Sequence, residues 1–315
     1  MISKRVPKMG KSMKLLILVA TFVVVTGSLV IMAFLPYLAT GSVINRHIDF
    51  TQVYDPGDWG LDAVPLSLKT QDGYTLAAWD LAIPEPRAVL IFFGGLTDPP
   101  VSAFWGHAKV LAEHGYGSLL IELRSHGASS GNQVYLGYAE HFDLLAGLDY
   151  VKSQYPNSPV VVFGADLGGV VAINAAGLYP DVAGLISIGA FSSWADLFTD
   201  NLYFSGTPLA FALLEKPFVN LYLAGKFGLA SRSLTPKKQM ANLGDRPALL
   251  MHGEGDSLVS LLNLERLLAH LPAQGSQVET WIRPGEEHLV TTDFLQPDND
   301  PEYIGRILDF LDRHF

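Results

Sequence analysis

Residues 160–169 read VVVFGADLGG, and VVAINAAGLYP follows at 170–180. The continuous apolar run before Gly164 is that of a strand covered on both faces. Beyond the glycine-flanked turn a helical pattern begins at once. A strand, a tight turn and a helix raise the apex side chain above the end of a sheet, the setting that presents a nucleophile. The apex must accept a positive φ, which Asp tolerates better than most non-glycine residues. Here the apex is Asp166.

Short apolar runs recur on both sides of this turn. VPLSL (64–68) and YTLAAWDLA (74–82) flank QDG as a hairpin; AVLIFF (88–93), GSLLIE (117–122), LISI (185–188), ALLM (248–251) and VETWI (278–282) read as further strands. Helical patterns lie between them at 102–114, 136–154, 167–179, 259–270 and 301–314. Strand–helix alternation predicts an α/β fold with a mainly parallel sheet. Residues 191–245 interrupt it, and PLAFALLEKPFVNLYLAGKFGLA (208–230) within them is apolar and helical in character. An insertion of that length is expected to be a lid over the sheet's carboxyl edge.

Four stretches in chain order resemble the α/β-hydrolase superfamily, in the layout of its serine aminopeptidase-like and monoglyceride-lipase-like members. IFFGGLTD (91–98) stands where that family has its oxyanion loop, and IELRSHGASSG (121–131) is similar to the family's D-x-R-G-x-G-x-S-x-G stretch. PALLMHGEGDSLVS (247–260) resembles the strand and loop that carry the acid, and IRPGEEHLV (282–290) the loop that carries the base. The resemblance covers residues 61–315. It implies a mostly parallel eight-stranded sheet with helices on both faces and a small helical lid. It also implies a nucleophile–acid–base set of Asp166, Asp256 and His288, in the order expected of this fold.

These roles are chemically coherent. His288 acts as a base when a carboxylate fixes its tautomer, and Asp256 is the candidate for that carboxylate. The Leu167 N–H, at a helix start, is an expected donor to an oxyanion, with a second from Gly95 or Leu96. Plainer readings exist for both residues: Asp256 as a turn or N-cap aspartate before a helix, His288 as a loop histidine beside Glu286 and Glu287. His126 and His252 read as structural.

Asp166 replaces the usual serine, and Phe93-Gly94 replaces the usual His-Gly. An Asp apex resembles the epoxide hydrolases and dehalogenases of the superfamily. The resemblance implies an alkyl-ester intermediate on Asp166, cleaved by water that His288 activates, and a small apolar substrate. Donors to its leaving group would come from Trp105, Trp194, Tyr203 or Tyr222. The alternatives are a non-catalytic binding or scaffold module, and an esterase, lipase or peptidase with another nucleophile. No cofactor and no metal site are expected.

The front of the chain has a different character. Residues 15–39, LLILVATFVVVTGSLVIMAFLPYLA, carry no charge and are long enough to span a membrane. Lys4, Arg5, Lys8, Lys11 and Lys14 precede them. The expected division is a basic cytoplasmic tail (1–14), a single-pass anchor (15–39), a linker and lead-in (40–60) and the main domain (61–315) facing outside. The alternative is a cleaved signal peptide, with Ala39-Thr40-Gly41 as a weak cleavage site and a secreted product. Setting the five leading cations aside leaves 16 Lys and Arg against 31 Asp and Glu. An acidic domain repels a phosphate backbone, which argues against nucleic acid as a partner. The chain has no cysteine, which excludes disulfides and thiolate chemistry.

Overall fold

The computed structural model describes residues 10–272, 275–285 and 287–315. Lys4, Arg5 and Lys8 of the basic tail and Glu286 lie outside them. The elements in chain order are α1 (Lys11–Ile44), β1 (Val64–Lys69), β2 (Thr75–Leu81), β3 (Val89–Phe93), α2 (Trp105–Glu113), β4 (Gly117–Ile121) and α3 (His141–Gln154). Then come β5 (Val160–Ala165), α4 (Leu167–Leu178), β6 (Val182–Ile188), α5 (Trp194–Phe204), α6 (Leu209–Phe227), α7 (Pro236–Gln239), β7 (Pro247–Gly253), α8 (Leu262–Leu268), β8 (Gln277–Arg283) and α9 (Pro301–His314).

The eight strands form one sheet in the order β1-β2-β4-β3-β5-β6-β7-β8. β1 and β2 are the hairpin around QDG, with Lys69 opposite Thr75; β2 also runs antiparallel to β4, and every later pairing is parallel. Alternate side chains of the central strands enter opposite cores, as a period of two requires. Val89, Ile91 and Phe93 of β3 join Val160 and Val162 of β5 in a core shared with α3, α4 and α8. Leu90, Phe92, Val161 and Phe163 point the other way, to Phe104, Trp105, Tyr303 and Phe310 around α2 and α9. This is the α/β-hydrolase fold.

That strand order brings distant loops together. The loops after β3 and β5 are neighbours, and so are those after β7 and β8, so the Asp166 turn and the stretches 91–98, 247–260 and 282–290 meet at one edge. The expected helix over 136–154 begins only at His141. Leu136 and Gly137 have φ of 55° and 90°, and the Glu140 carboxylate accepts the Tyr135 and Gly137 N–H groups at 2.7 and 2.8 Å. This turn delays the helix by five residues.

α1 is longer than the expected span, and Pro36 lies inside it. From residue 10 to Ile31 every side chain is exposed; beyond that Met32, Pro36, Thr40 and Ile44 are buried, a stripe at helical spacing. The stripe packs on the insertion and the main domain. The Trp194 indole N–H donates to Thr40 Oγ1 at 3.0 Å, and the Tyr37 and Tyr222 rings meet edge-on. The Val134 N–H donates to the Ile44 carbonyl at 2.9 Å, and Ile48 exchanges backbone bonds with the loop at 125–127. The His47 ring meets the Gly131 and Gly127 carbonyls at 2.8 and 2.9 Å. Residues 40–48 are therefore fastened to the main domain along their length.

Candidate active site

Asp166 sits at the turn between β5 and α4 with φ 52° and ψ −116°, a strained conformation for a residue with a side chain. Its N–H donates to the Ile188 carbonyl at 2.9 Å and its own carbonyl receives the Val170 N–H. Small residues make the turn possible. A Cβ on Gly164 would stand 2.0 Å from the Gly168 carbonyl oxygen, and one on Gly168 would stand 2.2 Å from that of Phe93.

One Asp166 oxygen, Oδ2, accepts the Leu96 N–H at 2.9 Å. The other, Oδ1, lies 3.7 Å from His288 Nε2, an ion-pair contact too long for a hydrogen bond. On its far side the His288 Nδ1–H donates to Asp256 Oδ2 at 2.6 Å. The second Asp256 oxygen accepts the Leu258 and Val259 N–H groups, each at 2.9 Å. Asp256 is thus a turn aspartate and the partner of His288 at once; α8 starts too late for it to be a cap.

Electrostatics follow from this row of groups. Burial opposes charging of His288, but Asp166 and Asp256 outweigh it and push its pKa up to about 10. Burial alone would raise the Asp256 pKa; His288, with the Val259 N–H and His252, holds it below the usual carboxylate range. The side chains of Asp166 and His288 are only 18% and 14% exposed, so the approach to them is narrow. Beside Asp256 a cavity of about 470 Å³ is lined by Phe204, Ser257, Leu261 and Leu262 among others.

The expected donors fare unequally. Leu96 supplies an N–H, and Leu167, as first residue of α4, has no partner for its N–H within the helix. The Gly95 N–H is instead spent on the Pro99 carbonyl at 2.8 Å, because the loop folds back on itself there. The four aromatic candidates do not gather at Asp166. Trp105 is buried in the α2–α9 core with its indole N–H on the Tyr54 carbonyl, and the Trp194 N–H is taken by Thr40. Tyr222 packs on Tyr37 of α1, and Tyr203 is exposed on α5. Their ring donors depend on tertiary neighbours that no local motif announces.

Two contributors carry little sequence signal. The buried His126 ring lies between the Arg124 and Leu96 carbonyls at 2.8 and 3.0 Å, buttressing the loop that supplies the Leu96 N–H. Gly189, φ 60°, follows β6; a Cβ there would stand 2.8 Å from His288 Cε1. His126 is legible only as part of IELRSHGASSG, and Gly189 only as a glycine at a strand end. Among the described residues no group of three or more His, Asp or Glu is placed to hold a metal ion.

The sheet order, the sharp turn after β5 and the His288–Asp256 pair define an α/β-hydrolase. Residues 84–242 match the family described as "Serine aminopeptidase, S33", and the chain belongs to that family of hydrolases. Among curated relatives, the uncharacterized protein YfhR of Escherichia coli K12 is 23% identical over 98% of this chain and 96% of its own. The α/β-hydrolase domain-containing protein WAV2 of Arabidopsis thaliana is 26% identical over 76% of this chain and 81% of its own. Among solved structures, the Pyrococcus furiosus esterase Pf2001 superposes with a TM-score of 0.64 at 20% identity, covering 85% of this chain and 99% of that one.

Proposed function

We propose that this chain is a membrane-anchored hydrolase in which Asp166 is the nucleophile, His288 the base and Asp256 the residue that orients it. The observation that carries this reading is the Leu96 N–H on Asp166 Oδ2. It holds one carboxylate oxygen and leaves Oδ1 to attack. Attack on an electrophilic carbon forms an O–C bond and expels the leaving group, a halide or a ring-opened epoxide oxygen, with its electron pair. The product is an alkyl ester of Asp166.

Ester formation also prepares the second step. It removes the Asp166 charge, one of the two that hold His288 protonated. His288 then loses its proton and becomes a base. Water gives a proton to Nε2 and attacks Cγ of Asp166, and the carbonyl oxygen of the ester, Oδ2, becomes anionic. There the Leu96 N–H is already aimed, with the Leu167 N–H beside it. Collapse breaks the Cγ–Oδ1 bond; the departing oxygen takes the proton from Nε2 and leaves as the alcohol, and the new carboxyl, which carries the water oxygen, passes its proton to Nε2 to restore the carboxylate. An ordinary ester is a poor substrate for this route, since attack by Asp166 would give an anhydride and an alkoxide.

Anchoring belongs to the same reading. α1 is 34 residues long and apolar enough to cross a membrane. Lys11 and Lys14 at its start support an orientation with that end in the cytoplasm and the hydrolase domain outside.

The test is single turnover of the purified full-length chain in heavy-oxygen water, with a panel of epoxides, haloalkanes and activated esters. Heavy oxygen entering the Asp166 carboxylate, read in peptide mass spectra, is the expected result. Ester turnover without label would assign the chemistry to another nucleophile, the second reading, to which the fold shared with the Pyrococcus esterase lends weight. No turnover and no label would favour a binding module.

A further inference from the structure

The insertion between β6 and β7 holds a second polar centre that the hydrolytic chemistry does not use. At its base Asp196 of α5 is fully buried. Its carboxylate accepts Lys237 Nζ at 2.5 Å and the Ser192 and Ser193 hydroxyls at 2.9 and 2.5 Å, and it pairs with Lys216 of α6. One carboxylate between two ammonium groups leaves a positive charge unbalanced. Arg232 and Lys238 add two more; both are exposed, and Lys238 Nζ donates to the Arg232 carbonyl at 2.5 Å.

These four cations line a single cavity of about 400 Å³, together with Ser193, Pro217, Asn220 and Thr235. No carboxylate is among the lining residues, in a chain whose acids outnumber its Lys and Arg 31 to 21. Thr235 is 7% exposed, and its hydroxyl has no hydrogen-bond partner among the described residues. Converging cations with hydroxyl and amide donors form the charge-assisted set that phosphate oxygens require.

The position of the cavity bears on the source of the phosphate. α6 runs beside α1: Ala33 and Phe218 line one groove, Tyr37 meets Tyr222, and Lys226 Nζ donates to Asn45 Oδ1 at 2.8 Å. Lys216 is therefore near the level of Ala33. At ~1.5 Å per residue, the rise from Lys14 to Ala33 is roughly 28 Å, close to the ~30 Å of a hydrocarbon core. Lys216 then stands at headgroup height on the face opposite Lys14. The exposed Leu213, Leu214 and Leu221 of α6 flank it with apolar surface.

We propose that this cavity is a phosphate-binding site, filled by the headgroup of an anionic phospholipid in the leaflet that α1 enters. The assignment of source rests on the anchored reading above; the cation set itself does not. The test uses the full-length chain in nonionic micelles, with thermal unfolding followed as inorganic phosphate, phosphatidylglycerol or phosphatidylcholine is added. Wild type is compared with a double variant, Arg232→Gln and Lys238→Gln, at two exposed positions.

Phosphatidylglycerol is expected to raise the unfolding temperature by several degrees, with affinity falling about tenfold or more in the variant. Inorganic phosphate acting as strongly, with the same sensitivity, would support the site and assign it to a free anion. No response to either anion would overturn the proposal. So would an equal response to phosphatidylcholine, or a response the double variant leaves unchanged. Alkaline carbonate extraction of cell membranes is read alongside. Release of the chain would refute the anchor, while the phosphate titration still reports on the cavity.

Discussion

His288 has a carboxylate on each side, at 2.6 and 3.7 Å, and in the proposed mechanism its protonation bears on both activity and stability. Removing one charge should free the ring to act as a base. Asp166→Asn is expected to lower the His288 titration clearly from about 10, as read by NMR, and to abolish turnover. A titration that does not move would sink the electrostatic account. The linkage has a definite sign. A folded pKa raised above the ordinary ~6.5 stabilises the fold fully below that pH, and the contribution is lost as pH rises toward 10. Asp256, with its pKa held down, contributes above the ordinary carboxylate range and loses that contribution as pH falls through its folded value. Denaturant midpoints should therefore drop between pH 7 and 10, and less so in Asp166→Asn. At this scale the three candidate residues that the structure brings together, Asp166, Asp256 and His288, are legible in sequence because each lies in its own stretch. The Leu96 N–H is legible only as one of the two candidates Gly95 and Leu96, because a backbone donor has no side chain to mark it. Trp105 and Trp194 mislead because an indole N–H looks free until its partner, Tyr54 or Thr40, is brought to it by packing.

The elements place these residues through the order of the strands. β6 lies between β5 and β7, so its end faces the row of Asp166, His288 and Asp256, and a glycine at 189 leaves room for the His288 ring. Gly189→Ala combines a 2.8 Å approach with a positive φ. It is expected to cost about 1 kcal/mol or more of stability and most of the activity, seen by denaturation and turnover on the same preparation. The buried half of α1 makes a separate prediction. A soluble fragment starting at residue 49 loses the packing of Thr40, Ile44 and Ile48 and should unfold well below one starting at residue 31. Trp194→Phe, which deletes the bond to Thr40 together with part of a buried ring, is expected to cost about 1 kcal/mol more in the longer fragment than in the shorter. Equal stability of the two fragments would show that the docking of α1 is incidental. The strands and most helices are legible from period and punctuation. The fastening of residues 40–48 is not, since it consists of backbone bonds and of a stripe at every fourth position within a uniformly apolar run.

The whole molecule joins an acidic domain to a cation-led apolar helix through a continuous stretch of packed chain. The structure has no hinge to offer between Lys11 and Ile44: one helix runs through Pro36, and its last four buried positions are gripped by the domain. Fractionation of cells expressing the full chain should leave it in membranes through alkaline carbonate washing, with the domain open to protease added outside. Such a stalk cannot swivel. With α1 as the membrane anchor proposed above, a domain held this way would meet the lipid surface at one tilt and one height, as a stylus meets a groove. Its working distance is set by where along α1 the gripped half begins, at Met32. Inserting or deleting a full helical turn just before Met32 would raise or lower the whole catalytic edge by about 5 Å while leaving every contact within the domain intact.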